Sequence, residues 1–131
     1  MKKRWLWIGA VVLLAFSLLF LPKTKFGAIA HWKRNLDRME AFAMEQMIET
    51  DETDNYFGWK TDYVPQYDVV VFQIYYGGFA SQTDERGIYY SPSDTASGLG
   101  NDMYSLPQEN GTVFLGEGDN QTYVEKLADH W

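Results

Sequence analysis

Hydrophobic positions follow three different periods along the chain, and each predicts a different element. Residues 5–21 form one uncharged apolar run, from Trp5 through Leu13 to Leu21, with Lys2, Lys3 and Arg4 before it and Pro22 and Lys23 after it. About 17 residues rising about 1.5 Å each make roughly 25 Å of helix, at the short end of what crosses a hydrocarbon core of about 30 Å. The expectation is a single transmembrane helix. Further on, Ile29, Trp32, Leu36, Met39, Ala43 and Met47 recur at spacings of three and four, one stripe of an amphipathic helix. Arg34, Arg38, Glu45 and Glu49 gather on the opposite side, as a solvated face would. Bases precede acids along this helix, the reverse of what a helix dipole favours.

Beyond residue 54 the pattern becomes that of strands. Residues 56–63 read as an aromatic-rich connector, and residues 68–76, with Val69, Val70, Val71, Phe72 and Ile74, as a central strand covered on both faces. Gly77 and Gly78 mark a bulge or the strand's end. Residues 83–87 read as a turn, with Gly87 at the position that tolerates positive φ, and residues 88–91 return as the partner strand. Residues 92–111 are rich in Ser, Asp, Gly, Asn and Pro and read as a long loop, a length that points weakly to a binding edge. Residues 112–115 and 121–127 flank Gly116 to Asn120 as a second hairpin. Thr122 to Glu125 also fits a capping box opening a helix, but a strand pairs two segments otherwise left as edges.

Composition narrows what such a chain can do. Removing an anchor of residues 1–25 leaves residues 26–131, enough for one domain with a modest core. The formal charge of −7 hides an asymmetry: Lys2, Lys3, Arg4, Lys23 and Lys25 supply five of the 11 basic residues, and all 18 acidic ones lie beyond them. The remainder holds 6 basic against 18 acidic residues, a formal −12 that repels phosphate backbones and argues against nucleic acid as a partner. With no cysteine, a disulfide framework, a thiolate metal site, a cysteine nucleophile and a lipidated cysteine are all excluded.

The apolar run exceeds the usual core of a secretory signal, and the basic stretch between it and Ala28-Ile29-Ala30 is long for a cleavage region, so an uncleaved anchor is expected. Lys23, Lys25, Lys33, Arg34 and Arg38 outnumber the three bases before the run, which by count favours the domain inside. The basic start directly abutting the run is instead the pattern of an export signal, and the expectation is an extracellular C-terminal domain.

Candidate chemistry is sparse. No Gly-x-Ser-x-Gly elbow, phosphate-binding Gly-Lys loop or calcium-binding loop is present. His31 reads as a solvated helix residue and His130, beside Asp129, as a surface residue. Glu45 and Glu49 share a helix face at i,i+4, but on a charged outer face neither is desolvated enough for acid–base work. Asp51, Glu52 and Asp54, or Glu117 and Asp119, offer scattered oxygens too few for a metal shell. No catalytic residue, metal site or cofactor is assigned. Aromatics, 17% of the chain, are the residues with a serious functional reading. Tyr56, Trp59, Tyr63, Tyr75 and Tyr89 are the candidate ligand-binding set, a platform for sugar rings or a partner's apolar anchors, against the plainer role of building a core.

The expected architecture is α+β: a single transmembrane helix, then one amphipathic helix packed on an antiparallel sheet of about four strands. This element order resembles cystatin-like folds and, with the hydrophobic N-terminal helix, is loosely similar to pilin-type subunits. The resemblance covers element order only, since neither a pilin cleavage motif nor a cystatin binding motif is present. The expected function is a membrane-tethered, non-enzymatic interaction domain of the bacterial cell envelope that binds protein or glycan through aromatic residues and the 92–111 loop. A small envelope hydrolase using carboxylates and a pilin-like structural subunit are the alternatives.

Overall fold

The computed structural model describes residues 2–20, 23–49, 54–79, 82–100 and 103–131. Three helices, α1 (Lys2–Phe20), α2 (Lys25–Arg34) and α3 (Leu36–Ile48), precede two antiparallel sheets, so the α+β class holds. The first sheet has four strands in the order β1 (Asp54–Tyr56), β2 (Trp59–Val64), β3 (Val69–Phe79) and β4 (Gln82–Tyr90). The second sheet has three: β5 (Tyr104–Pro107), β6 (Thr112–Leu115) and β7 (Gln121–Val124).

The amphipathic stripe forms as expected, but on two helices rather than one. Asn35 breaks it: its backbone N–H is shared between the His31 and Trp32 carbonyls, both at 3.1 Å, and its side-chain Nδ2 donates to the His31 carbonyl at 2.9 Å. A side chain that competes for backbone partners ends the helix there. The break also resolves most of the inverted charge order. Lys33 and Arg34 fall in the last turn of α2 and Asp37 in the first turn of α3, each where the local dipole favours its sign. Thr24 caps the start of α2, its Oγ1 accepting the Gly27 N–H at 3.1 Å.

Trp32, Met39 and Ala43 from the stripe are buried against Trp59, Val70, Phe72, Ile88 and Tyr90 on one face of the first sheet, with Ile29, Leu36 and Met47 partly buried around them. Trp131 completes this core from the far end of the chain, its ring centroid 5.1 Å from Tyr90, 5.9 Å from Phe72 and 6.1 Å from Trp32. Several strand expectations need correction. Residues 56–63 are a hairpin rather than a connector, with Tyr56 opposite Trp59 across a two-residue Phe57-Gly58 turn at φ 53° and 77°. Residues 83–87 lie within β4 rather than in a turn. The bulge falls at Ile74, between the Gln73–Gly87 and Tyr75–Arg86 pairs, and not at Gly77 and Gly78. Gly87 serves close approach rather than positive φ: a Cβ there would sit 2.5 Å from the Phe72 carbonyl oxygen.

The hairpin of residues 112–115 and 121–127 was expected within a single sheet of about four strands; β6 and β7 form it, with strand over Gln121–Val124 rather than helix, but in a separate second sheet. Its third strand, β5, comes from within the expected 92–111 loop. The helix end and carboxylates at residues 50–53 lie outside the described residues, as does Leu21. The described side chains of α1 run over residues 5–17, roughly 20 Å of helix. Among the described residues no helix is long and apolar enough to cross a membrane.

Candidate functional site

The five candidate aromatics are distributed over the first sheet: Trp59 belongs to its core, Tyr56 and Tyr63 pack against that core, and Tyr56 and Trp59 also gather around one histidine. Trp59 is buried and Tyr56 half-buried, the latter with its ring 5.2 Å from Phe42 and 5.7 Å from Phe72. Between them lies His31. Its ring stacks on Phe57 at 4.0 Å and 22°, and meets the edges of Trp59 at 5.0 Å and Tyr56 at 6.0 Å. His31 is therefore half-buried among rings rather than solvated, because the β1–β2 turn folds up against α2. Desolvation by this cluster, with Arg34 nearby, holds its pKa below the ordinary 6.5. The Phe57-Gly58 dipeptide between two aromatic strand residues is the sequence signal that locates this cluster.

Tyr63, Tyr89 and Tyr75 stand apart from it and from one another. Tyr63 donates its hydroxyl to Asp68 Oδ1 at 3.0 Å, and that bond to a carboxylate raises its pKa. The Tyr89 hydroxyl accepts the Ser97 N–H at 3.1 Å, pinning the loop after β4, and burial raises its pKa. Tyr75 is exposed on a two-stranded ribbon. The last β2 residue paired with β3 is Lys60, opposite Gln73, so among the described residues the strand segments 74–79 and 82–86 pair past it with each other alone. On this ribbon the Arg86 guanidinium carbon sits 5.6 Å from the centroid of the Tyr75 ring, and Tyr76 is exposed on the opposite face. Gly77 leaves room for the arrangement, since a Cβ there would meet the Tyr75 hydroxyl at 2.3 Å.

A groove of about 340 Å³ runs between the 91–97 loop, the start of β6 and the segment after β7. On one side of it, residues of the 91–95 turn and of 126–130 are bonded to one another. Asp94 Oδ2 accepts Lys126 Nζ at 2.5 Å and its Oδ1 accepts the His130 N–H at 2.8 Å, and these two bonds hold the carboxyl below its ordinary range. Ser91 Oγ lies 3.2 Å from both Ser93 Oγ and the Thr95 amide, while His130 Nδ1 sits 3.2 Å from the Ser91 carbonyl rather than its hydroxyl. Ser91 and His130 thus do not form a nucleophile–base pair. Together with the Ser91 N–H donating to the His130 carbonyl at 2.8 Å, these groups latch the chain end so that Trp131 seats in the core. Sequence reasoning missed this latch, and an acid and a base separated by 32 residues carry no local signal. Among the described residues no group of three or more metal-ligating side chains is gathered.

The second sheet presents the other aromatic surface. Leu106, Val113 and Tyr123 align across its three strands, and Tyr104, Leu115 and Gln121 form the next row on the same face. Tyr104, Leu106 and Tyr123 are exposed. The opposite face carries Phe114, which closes with Met103 over the buried Gly98. Comparison with known proteins finds no matching family model, no matching curated protein and no matching solved structure.

Proposed function

We propose that this chain is a membrane-tethered, non-enzymatic interaction domain of the bacterial cell envelope, with its acidic domain on the outer side, binding a protein or glycan through exposed aromatics. Support for the tether is the all-round exposure of the α1 side chains, including Trp5, Trp7, Val11, Val12 and Leu13. A helix apolar on every side finds its solvent inside a membrane or a large core, and residues 5–21 continue the apolar run to Leu21. On this reading Trp5 and Trp7 lie at the membrane interface beside the basic start.

The observation that carries the binding half is the β3–β4 ribbon. It presents an exposed tyrosine with an arginine on one face and Tyr76 on the other, residue types that dominate binding hot spots, on backbone that stands clear of the sheet. The stacked Tyr75–Arg86 pair is ordered before any partner arrives, which lowers the entropy lost on docking. Two tyrosines on a ribbon suit a sugar ring or a partner's apolar anchor equally.

The test is co-purification from native membranes with the N-terminal run intact, comparing the natural chain with the Tyr75→Ala, Tyr76→Ala double variant. Losing a hot spot of about 2 kcal/mol lowers affinity about 30-fold, so partner recovery should collapse while membrane association is unchanged. Undiminished recovery would remove the ribbon from the binding surface. A reporter fused after Trp131 reads the side of the membrane.

A further inference from the structure

The uncharged face of the second sheet lies beside the point where the proposed tether enters the domain. β5, β6 and β7 contain no charged residue, in a domain otherwise dense with carboxylates. Tyr104, Leu106 and Tyr123 on this face are 61%, 44% and 50% exposed; Val113 lies between Leu106 and Tyr123, and Leu115 between Tyr104 and the exposed Gln121. A contiguous exposed apolar face on a small domain marks an interaction surface.

The occupant follows from where the chain enters. Glu125 lies two residues beyond Tyr123, on the same side of the strand line, and accepts the Tyr123 hydroxyl at 3.1 Å on Oε1. Its Oε2 accepts Lys25 Nζ at 2.5 Å, and these two bonds hold the Glu125 carboxyl below its ordinary range. Lys25 is four residues past Leu21, the end of the apolar run, a reach of at most about 14 Å. The face is therefore strapped to the membrane end of the tether. Phe26, next to the strap, is 80% exposed. Tyrosines at opposite corners of an apolar surface, with Phe26 and Lys25 along one rim, are the composition of a lipid–water interface.

We infer that this face, Tyr104, Leu106, Val113, Leu115 and Tyr123, rests on the bilayer surface itself, held there by the Lys25–Glu125 strap. The inference rests on the tether proposed above and adds an orientation to it. The domain lies down on the membrane and does not stand off it on a flexible stem. With the face against lipid, the β3–β4 ribbon is left as the aromatic surface free for a partner.

The natural absence of cysteine allows single-site labelling. The full chain, carrying an environment-sensitive nitrobenzoxadiazole fluorophore at Leu106→Cys, Tyr123→Cys, Ser105→Cys or Leu13→Cys, is reconstituted in phosphatidylcholine vesicles with and without doxyl-bearing lipid, the quencher lying near the headgroup for the labels at 105, 106 and 123 and near the acyl-chain end for the label at 13. Ser105 is exposed on the opposite face of β5 and Leu13 reports on the tether. Labels at 106 and 123 are expected to emit to the blue of that at 105 and to lose at least three times as much intensity to the quencher. Quenching at 13 with 106 and 123 behaving like 105 overturns the inference and leaves the tether standing. No quenching at 13 overturns the tether first. Blue-shifted emission at 106 and 123 that ignores the quencher assigns the face to protein, such as a second copy, and also overturns the inference.

Discussion

The two sheets are built from similar material and do opposite things with it. The first buries aromatic and β-branched residues under two helices, so that Phe72, Val70 and Thr61 on the covered face are fully shielded from solvent. The second, with Tyr, Leu, Val and Phe in its short strands, has no fully buried strand residue, and its outer face is open. Helix cover is the difference: α3 packs on β2 and β3, whereas an apolar face without such cover must find another partner or remain exposed. Strand composition alone therefore does not say whether a sheet is core or surface.

The sharpest break in that comparison comes from removing one phenylalanine from each sheet. Phe72→Ala empties the centre of the aromatic core, where Phe42, Tyr56 and Trp131 all lean on the ring, and should cost about 3–5 kcal/mol. Phe114→Ala removes a half-buried ring resting over Gly98 and should cost about 1–2 kcal/mol, in proportion to the apolar area it covers. Denaturant unfolding followed by tryptophan fluorescence reads the first, and amide exchange in β5 to β7 reads the second. Equal losses would mean that the second sheet is as much a part of the core as the first.

A finer contrast lies in the glycines. Gly87→Ala drives a methyl against the Phe72 carbonyl, a backbone atom fixed by the β3–β4 ladder, and should cost about 2–3 kcal/mol. Gly98→Ala drives a methyl onto Phe114 Cβ, an atom fixed to the β6 backbone, and onto Met103 Sδ at 2.7 Å, which is free to swing away. Its cost should likewise be about 2–3 kcal/mol, but confined to the second sheet. Amide exchange of the two variants should place the loss in β3 and β4 for the first and in β5 to β7 for the second, and a loss spread over both sheets would make them one packing unit.

What the sequence made legible follows the same division. Periodicity located the stripe from Ile29 to Met47 and the strands at residues 68–76 and 112–115, because local spacing reports directly which residues a core will cover. It missed the break at Asn35, which depends on a side chain competing for two carbonyls, and the Phe57-Gly58 turn, where an aromatic residue takes a conformation normally left to Asn or Gly. It also missed Trp131 in the core, since the Asp94 latch that seats it joins distant segments. Of the five candidate aromatics, Tyr75 is the one whose exposure local pattern could not have decided. It depends on where β2 stops pairing with β3, which is a fact of register and not of composition.

Protonation offers the gentlest test, because it should touch only one sheet. His31 ties α2 to the β1–β2 hairpin through ring contacts, and burial among those rings favours its neutral form. With the folded pKa below the ordinary 6.5, the unfolded chain takes up the proton first as pH falls. Stability therefore drops as pH descends from about 6.5 toward the folded value and levels off beneath it. In His31→Gln this contribution to the slope disappears. Amide exchange between pH 7 and pH 5, corrected for intrinsic rates, should show protection falling in β1 and β2 of the natural chain while β5 to β7 hold their level. The Phe57 ring, stacked directly on the imidazole at 4.0 Å, would then be the first contact to loosen.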